Sequence, residues 1–147
     1  SDADLPQGAG TLRGTARRRS EFLTGLAVQS REAGLRGEQA AAEWLIANGF
    51  ELLHRNWRSG RYELDIVALR EGVLHVVEVK CRRSGALSPP EEAMTPRKFA
   101  ALMRATEHYV ALYGFDTDTQ FDLVTVEYRP DGECDLHYFP NAMTPRW

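Results

Sequence analysis

Between Arg61 and Arg83 the chain reads RYELDIVALREGVLHVVEVKCRR, two β-branched runs carrying acids where buried strands should be apolar. Tyr62–Leu69 and Val73–Cys81 have strand composition, and Arg70-Glu71-Gly72 joins them as a turn. Asp65 is wedged between Leu64 and Ile66. Glu78 interrupts Val76-Val77-Glu78-Val79, with Lys80 two residues on. An unpaired buried carboxylate costs far more than one strand residue returns, so these acids need a partner. Two carboxylates facing each other across a strand pair repel, and a hard divalent cation between them turns that repulsion into binding. Oxygen donors of this kind suit Mg2+ or Mn2+. Lys80, on the face of Glu78, is placed to hold a water or a phosphate oxygen there.

Register decides whether the hairpin can hold such a site. With an even loop, Glu71-Gly72 or Arg70–Val73, Asp65 lies opposite Glu78 and Glu63 opposite Lys80, all four on one face. A three-residue Arg70–Gly72 loop with a glycine bulge puts Asp65 and Glu78 on opposite faces. The sequence alone admits both.

Residues 1–30 mix Gly, Ser, Thr and Arg with little periodicity. They read as a disordered arm with a helical turn around Glu21–Val28 and a solvated Arg17-Arg18-Arg19 run, ahead of a domain over residues 31–147. Arg31 to Asn48 has helical periodicity, with Leu35, Ala42, Leu45 and Ile46 as its stripe and Gly49 as a left-handed cap. Glu38 falls inside that stripe. It is either a helix-edge acid reaching water or an arginine, or a third carboxylate aimed at the pocket of Asp65 and Glu78. Phe50–Arg58 reads as a strand, and Ser84–Pro90 as a loop. Thr95-Pro96 then opens a helix with the stripe Phe99, Leu102, Met103 and Val110, which Gly114 ends. Gln120–Tyr128 and Glu133–Phe139 are strands around an RPDG turn, and the tail packs through Met143 or Trp147. The order α-β-β-β-α-β-β predicts a single α/β domain, a mixed five-stranded sheet flanked by helices.

A chain of 147 residues, 43% hydrophobic and 27% charged, suits one such domain. No run approaches the ~20 apolar residues that cross a bilayer. Cys81 and Cys134 lack zinc-like spacing, which points to a reduced, cytoplasmic protein. A net charge of −3 argues against indiscriminate coating of nucleic acid but leaves room for a local patch. Arg55, Arg58, Arg61, Arg82 and Arg83 cluster around the hairpin as candidate phosphate contacts, with Lys98 opening the later helix. Of 18 basic residues only Lys80 and Lys98 are lysines. A compact ammonium suits a water-positioning role at Lys80 better than a guanidinium fork. His54, His75, His108 and His137 have no ligand spacing and read as surface or sheet-face residues. Asp122 is a strand-edge acid or a partner to another group, and Cys81 an inert buried thiol. Trp44 and Trp57 read as packing residues, Trp57 with the further option of stacking on a base.

An acid, twelve residues, then Glu-Val-Lys on a second strand is the pattern of the PD-(D/E)XK nucleases. Around it fall Gly37-Glu38-Gln39-Ala40-Ala41, Gly49-Phe50, Arg55-Asn56-Trp57-Arg58, Glu63-Leu64-Asp65-Ile66-Val67-Ala68 and Val77-Glu78-Val79-Lys80-Cys81-Arg82. With Lys98, Phe121-Asp122-Leu123-Val124 and Asn141-Ala142, this ordered set closely resembles the YraN-like family of bacteria over about residues 34–142. Tyr62 departs from the glycine usual before the Glu-x-Asp element. The resemblance implies a restriction-endonuclease-like fold related to archaeal Holliday junction resolvases, and carries Glu38, Asp65, Glu78 and Lys80 onto the family's acidic and lysine positions. The expected function is a metal-dependent nuclease hydrolysing DNA phosphodiester bonds, with branched or junction DNA as substrate and a homodimer as the working form. Asp65 and Glu78 bind the metal with help from the Val79 carbonyl, Lys80 orients the attacking water, and Glu38 completes the acidic site. The alternatives are a nucleic-acid-binding module without turnover and a DNA-processing interaction domain whose acidic pocket is structural.

Overall fold

One parallel strand pair in an otherwise antiparallel sheet sets the topology. The elements of this computed structural model are α1 (Gly25–Ala47), β1 (Glu51–Ser59), β2 (Tyr62–Arg70), β3 (Val73–Arg83), α2 (Pro96–Tyr113), β4 (Asp118–Tyr128) and β5 (Cys134–Phe139). It describes residues 25–85 and 94–142, with side chains from Gly34 onward. The expected arm before residue 25, the Pro89-Pro90 part of the loop, and the packing of Met143 or Trp147 lie outside the described residues. The strands form one sheet in the order β1-β2-β3-β4-β5. β3 and β4 run parallel, the other pairs antiparallel. A parallel pair needs a crossover, and α2 supplies it.

The hairpin takes the even loop. Arg70 pairs with Val73, leaving Glu71-Gly72 as a two-residue turn with φ of 51° and 76°. Two left-handed residues match the twist of the flanking strands, which is why Gly72 is suited to its place. The pairing that follows, Ile66 opposite Val77, brings Asp65 up to Glu78.

Strict alternation does not survive along β2. Leu64 and Val67, three residues apart, both enter the core under α2 with Trp57, Leu74, Val76, Phe99, Leu102, Tyr109 and Phe121. In β1, Trp57 enters that core and His54 meets Tyr109 from the same side. Between them Asn56 adopts φ 52°, and the β1–β2 ladder pairs Arg55 with Ile66 and Trp57 with Leu64 while skipping Asn56 and Asp65. Both strands therefore change face at this step. The expected set of four side chains on one face is corrected: Glu63 has no ladder partner in Lys80, and it is exposed and 3.5 Å from Arg58.

The second core lies under α1: Ala41, Ala42, Leu45, Phe50, Ile66, Ala68, Val77, Val124 and Val126. α1 begins at Gly25 rather than Arg31. Ile46, expected in its stripe, is 58% exposed. The turn of about 100° from Leu45 to Ile46 carries it off the face that Ala41, Ala42 and Leu45 define. α2 follows the expected frame, with Thr95 as N-cap, Pro96 in the first turn and Gly114 left-handed at φ 73°. Trp57 is 6% exposed and donates to the Tyr113 hydroxyl at 3.2 Å, so it packs and does not offer a face to a base. His54 and His75 lie on sheet faces but are buried, whereas His108 and His137 are exposed. No described helix is long and apolar enough to cross a membrane.

Close approach of α1 to β3 depends on Gly37. A Cβ there would overlap the Cys81 sulfur and lie 2.6 Å from the Tyr128 hydroxyl. Gly37→Ala is expected to lower stability by about 1–3 kcal/mol through overpacking. In thermal or denaturant melts, adding Cys81→Ala should recover part of that loss, as relief of a local clash requires.

Candidate active site

The β2–β3 ladder opens at Asp65, one residue past its Ile66–Val77 pair. There the Asp65 Oδ2 accepts the Val79 N–H at 2.9 Å, so a side chain supplies the acceptor that strand backbone would otherwise provide. Glu78 lies within hydrogen-bonding reach of the same carboxyl. Burial and then the Glu78 charge push Asp65 up to about 7, opposed by the Val79 N–H and by Lys98. Near neutral pH this pair therefore holds a proton for part of the time.

Lys98, in the first turn of α2, places its Nζ 2.8 Å from Glu78 Oε2. That hydrogen bond is the chief reason its ammonium titrates above the ordinary lysine value. The turn is fixed by Thr95, whose Oγ1 accepts the Lys98 N–H at 3.1 Å. Lys80 is exposed and forms no ion pair among the described residues. Strand alternation puts it on the side of Glu78.

Glu38 arrives from α1. Burial raises its pKa, the Asp65 charge raises it further, and Arg55 lowers it. Its Oε2 is buried without a hydrogen-bond partner. Glu38 thus lies close to the Asp65 carboxyl and to the Arg55 guanidinium at once, so both of its sequence readings find a partner here. Among the described residues, no three acid, histidine or cysteine side chains are already arranged around one ion position.

The arginines divide. Arg55 lies near Glu38 with its Nε buried and without a hydrogen-bond partner among the described residues, whereas Arg82 is held by Glu127 at 3.2 Å. Arg58, Arg61 and Arg83 are exposed. Arg61 lies over the Tyr62 ring, 5.6 Å from its centroid. A groove of about 410 Å³ runs between the start of β2 and α2, with Arg61, Tyr62, Glu63, Lys98 and Arg104 along it. Arg104 escaped the sequence reading. Its signal is the three-residue step Lys98, Ala101, Arg104 along one helix face.

A second buried acid also went unassigned from the sequence. Asp122 is fully buried and takes hydrogen bonds from the Tyr138 hydroxyl at 2.7 Å, the Gln120 amide at 2.8 Å and the Asn141 N–H at 3.0 Å. His75 Nδ1 lies 2.7 Å from Oδ2, the oxygen that Tyr138 also reaches. This network ties the end of β5 to the sheet centre. The Cys81 thiol is half-buried, and burial pushes its pKa up, which fits the inert role expected of it.

A five-stranded mixed sheet between two helices, opening on paired carboxylates, is the α/β domain that the sequence predicts. The model of the uncharacterised protein family UPF0102 matches residues 37–126, and the chain belongs to that family. A UPF0102 protein of Bacteroides thetaiotaomicron is 42% identical over 99 residues, 67% of this chain and 82% of the relative. One of Porphyromonas gingivalis is 42% identical over 103 residues, covering 70% and 76%. That of Symbiobacterium thermophilum is 42% identical over 114 residues, covering 77% and 97%. The matched segment contains Glu38, Asp65, Glu78, Lys80 and Lys98.

The raised pKa of Asp65 has a definite sign for stability. Between its ordinary value of 3.8 and about 7 the folded chain binds the extra proton, so stability falls as pH rises through that window and levels off above it. Asp65→Asn keeps an acceptor for Val79 and removes the charge. It is expected to gain on the order of 1–3 kcal/mol over wild type at pH 8 and little near pH 4, read from melts across pH. Parallel pH profiles for the two proteins would contradict the shift.

Proposed function

We propose that the protein is a metal-dependent nuclease that hydrolyses DNA phosphodiester bonds, with branched or junction DNA as its substrate. The observation that carries this reading is the convergence of Asp65 and Glu78 at a break in the sheet, under a lysine. Hard oxygen donors, one of them an orphaned buried oxygen of Glu38, fit Mg2+ or Mn2+. Asp65 and Glu78 would hold the ion, with the Val79 carbonyl, waters and substrate in the remaining positions. When bound, such an ion supplies Lewis-acid polarisation of the phosphoryl oxygen and a more acidic water.

The chain's own residues do the rest. Near neutral pH a bound cation relieves the repulsion of Asp65 and Glu78 and favours their ionising together, so metal binding and proton release are coupled at this pair. Glu38, behind Asp65, adds negative charge that favours a cation. Lys80 is exposed on the Glu78 side, where an ammonium can hold the attacking water and stabilise charge developing on phosphorus. The resemblance of the acid–Glu-Val-Lys spacing to the PD-(D/E)XK pattern supports the same reaction class, with cytoplasmic DNA as its target.

A second reading, a nucleic-acid-binding module without turnover, draws on one observation: Lys98 already neutralises Glu78, and no three-ligand set is preformed among the described residues. A cleavage panel of duplex, single-stranded, flap and four-way DNA, in Mg2+ and in chelator, separates the two. Wild type should cut in Mg2+ only. Asp65→Ala should lower the rate by on the order of 10²-fold or more while DNA affinity stays within a few-fold. No cutting of any substrate would remove the enzyme. Resolution of a junction requires two sites related by a two-fold axis, so scattering that finds one chain per junction would remove that substrate.

A further inference from the structure

We infer that the groove between the start of β2 and α2 carries the phosphate backbone of one unpaired nucleic-acid strand as it leaves the acid pair. This rests on the nuclease reading of the adjoining site. The first reason is uncommitted charge. Arg61 and Arg104 are exposed and have no salt-bridge partner among the described residues. By contrast Arg58 pairs with Glu63, Arg82 with Glu127, and Arg129 with Asp131 and Asp135, while Arg83, exposed and without a salt bridge among the described residues, lies outside the groove. In a chain of net charge −3, two guanidiniums without a salt bridge among the described residues, along one groove, mark a local site for anions.

The second reason is continuity. Lys98 lines the groove and at the same time sits 2.8 Å from Glu78, so the groove opens directly onto the carboxylates. The third is shape. Ala101 and Ala105 keep the helix side of the groove low, and Leu102 is buried beneath it. Its volume of about 410 Å³ is that of a site for one small molecule, so a nucleotide of a single strand fits inside it, whereas a duplex could only lay one backbone along it. Arg61 is steadied over Tyr62, whose ring stacks on His108 at 5.1 Å between centroids. Glu63 also lines the groove, and Arg58 lies 3.5 Å from its carboxylate on the exposed side.

The test measures equilibrium binding of a fluorescent single-stranded oligonucleotide, in chelator, across a salt series. Wild type is compared with Arg61→Ala, Arg104→Ala and the control Arg129→Ala, after melts establish that all four fold alike. Arg61→Ala and Arg104→Ala should each weaken binding by roughly five- to tenfold at low salt. Each should also reduce the slope of log K against log salt by about 0.7, the share of one single-strand phosphate contact. Arg129→Ala should do neither. Affinities equal to wild type in both groove variants overturn the inference, as does failure of wild type to bind any oligonucleotide. Tighter binding of the matched duplex, with the same arginine dependence, overturns the unpaired strand. Weakened binding in a protein that cuts nothing leaves the groove standing and removes the nuclease. Unaltered binding in a protein that cuts does the reverse.

Discussion

The bond from the Val79 N–H to Asp65 Oδ2 is the interaction on which the site depends. It ends the β2–β3 ladder and substitutes a charged side chain for a backbone carbonyl, so the strands part without leaving the Val79 donor unsatisfied. Beside it stands Glu78, and two carboxylates this close cannot both ionise cheaply. What holds them lies outside the pair itself: the hairpin's type I′ turn that fixes register, Gly37 that lets α1 approach, and a capped α2 that delivers Lys98. Each is ordinary. Together they keep an unfavourable pair in place.

Asp122 shows what the other solution looks like. It too is an acid in an apolar run, and it is more deeply buried than Asp65. Yet both of its oxygens are satisfied, by Tyr138 and His75 on one and by Gln120 and Asn141 on the other. Burial and the Asp122 contact raise the Tyr138 phenol, which stays a neutral donor. A carboxylate with that many donors is a structural anchor, because any change of partner would strand a buried charge. Asp65 has one backbone donor and a repelling neighbour, and Glu38 adds an oxygen with no donor at all. The deficit of donors, not the presence of acid, separates the two clusters.

That difference also marks where the sequence stops being legible. The turn, the α2 cap and the strand order follow from local rules, because Gly72, Thr95-Pro96 and Gly114 each satisfy a local dihedral or hydrogen-bond demand. Asp65 and Glu78 stand out because acids among β-branched residues violate burial. The change of face at Asn56 and Asp65 is not legible in the same way, since alternation is a two-residue rule and this step involves two neighbouring strands bending together. Ile46 misled for a related reason: a helical stripe has a width, and only tertiary contact decides where its edge falls. Likewise, nothing in the order of residues says that Asp122 will find four donors from three segments while Asp65 finds one.

The two lysines make the same point about roles. Motif position singles out Lys80, two residues after Glu78 on the same strand. Topology singles out Lys98, because the parallel β3–β4 pair forces a crossover helix over this face of the sheet, and the Thr95 cap fixes how its first turn is presented. The ammonium of Lys98 is therefore held by the fold against Glu78, whereas Lys80 stays exposed and unpaired among the described residues. A cation already bound to a carboxylate lowers the cost of burying that carboxylate, but it is less free to move with a reacting water. A neighbouring ammonium without a partner has the opposite balance. The difference in setting, one lysine held against the acid pair and the other exposed on the Glu78 side without an ion pair among the described residues, follows from where the crossover lands rather than from the spacing of the motif.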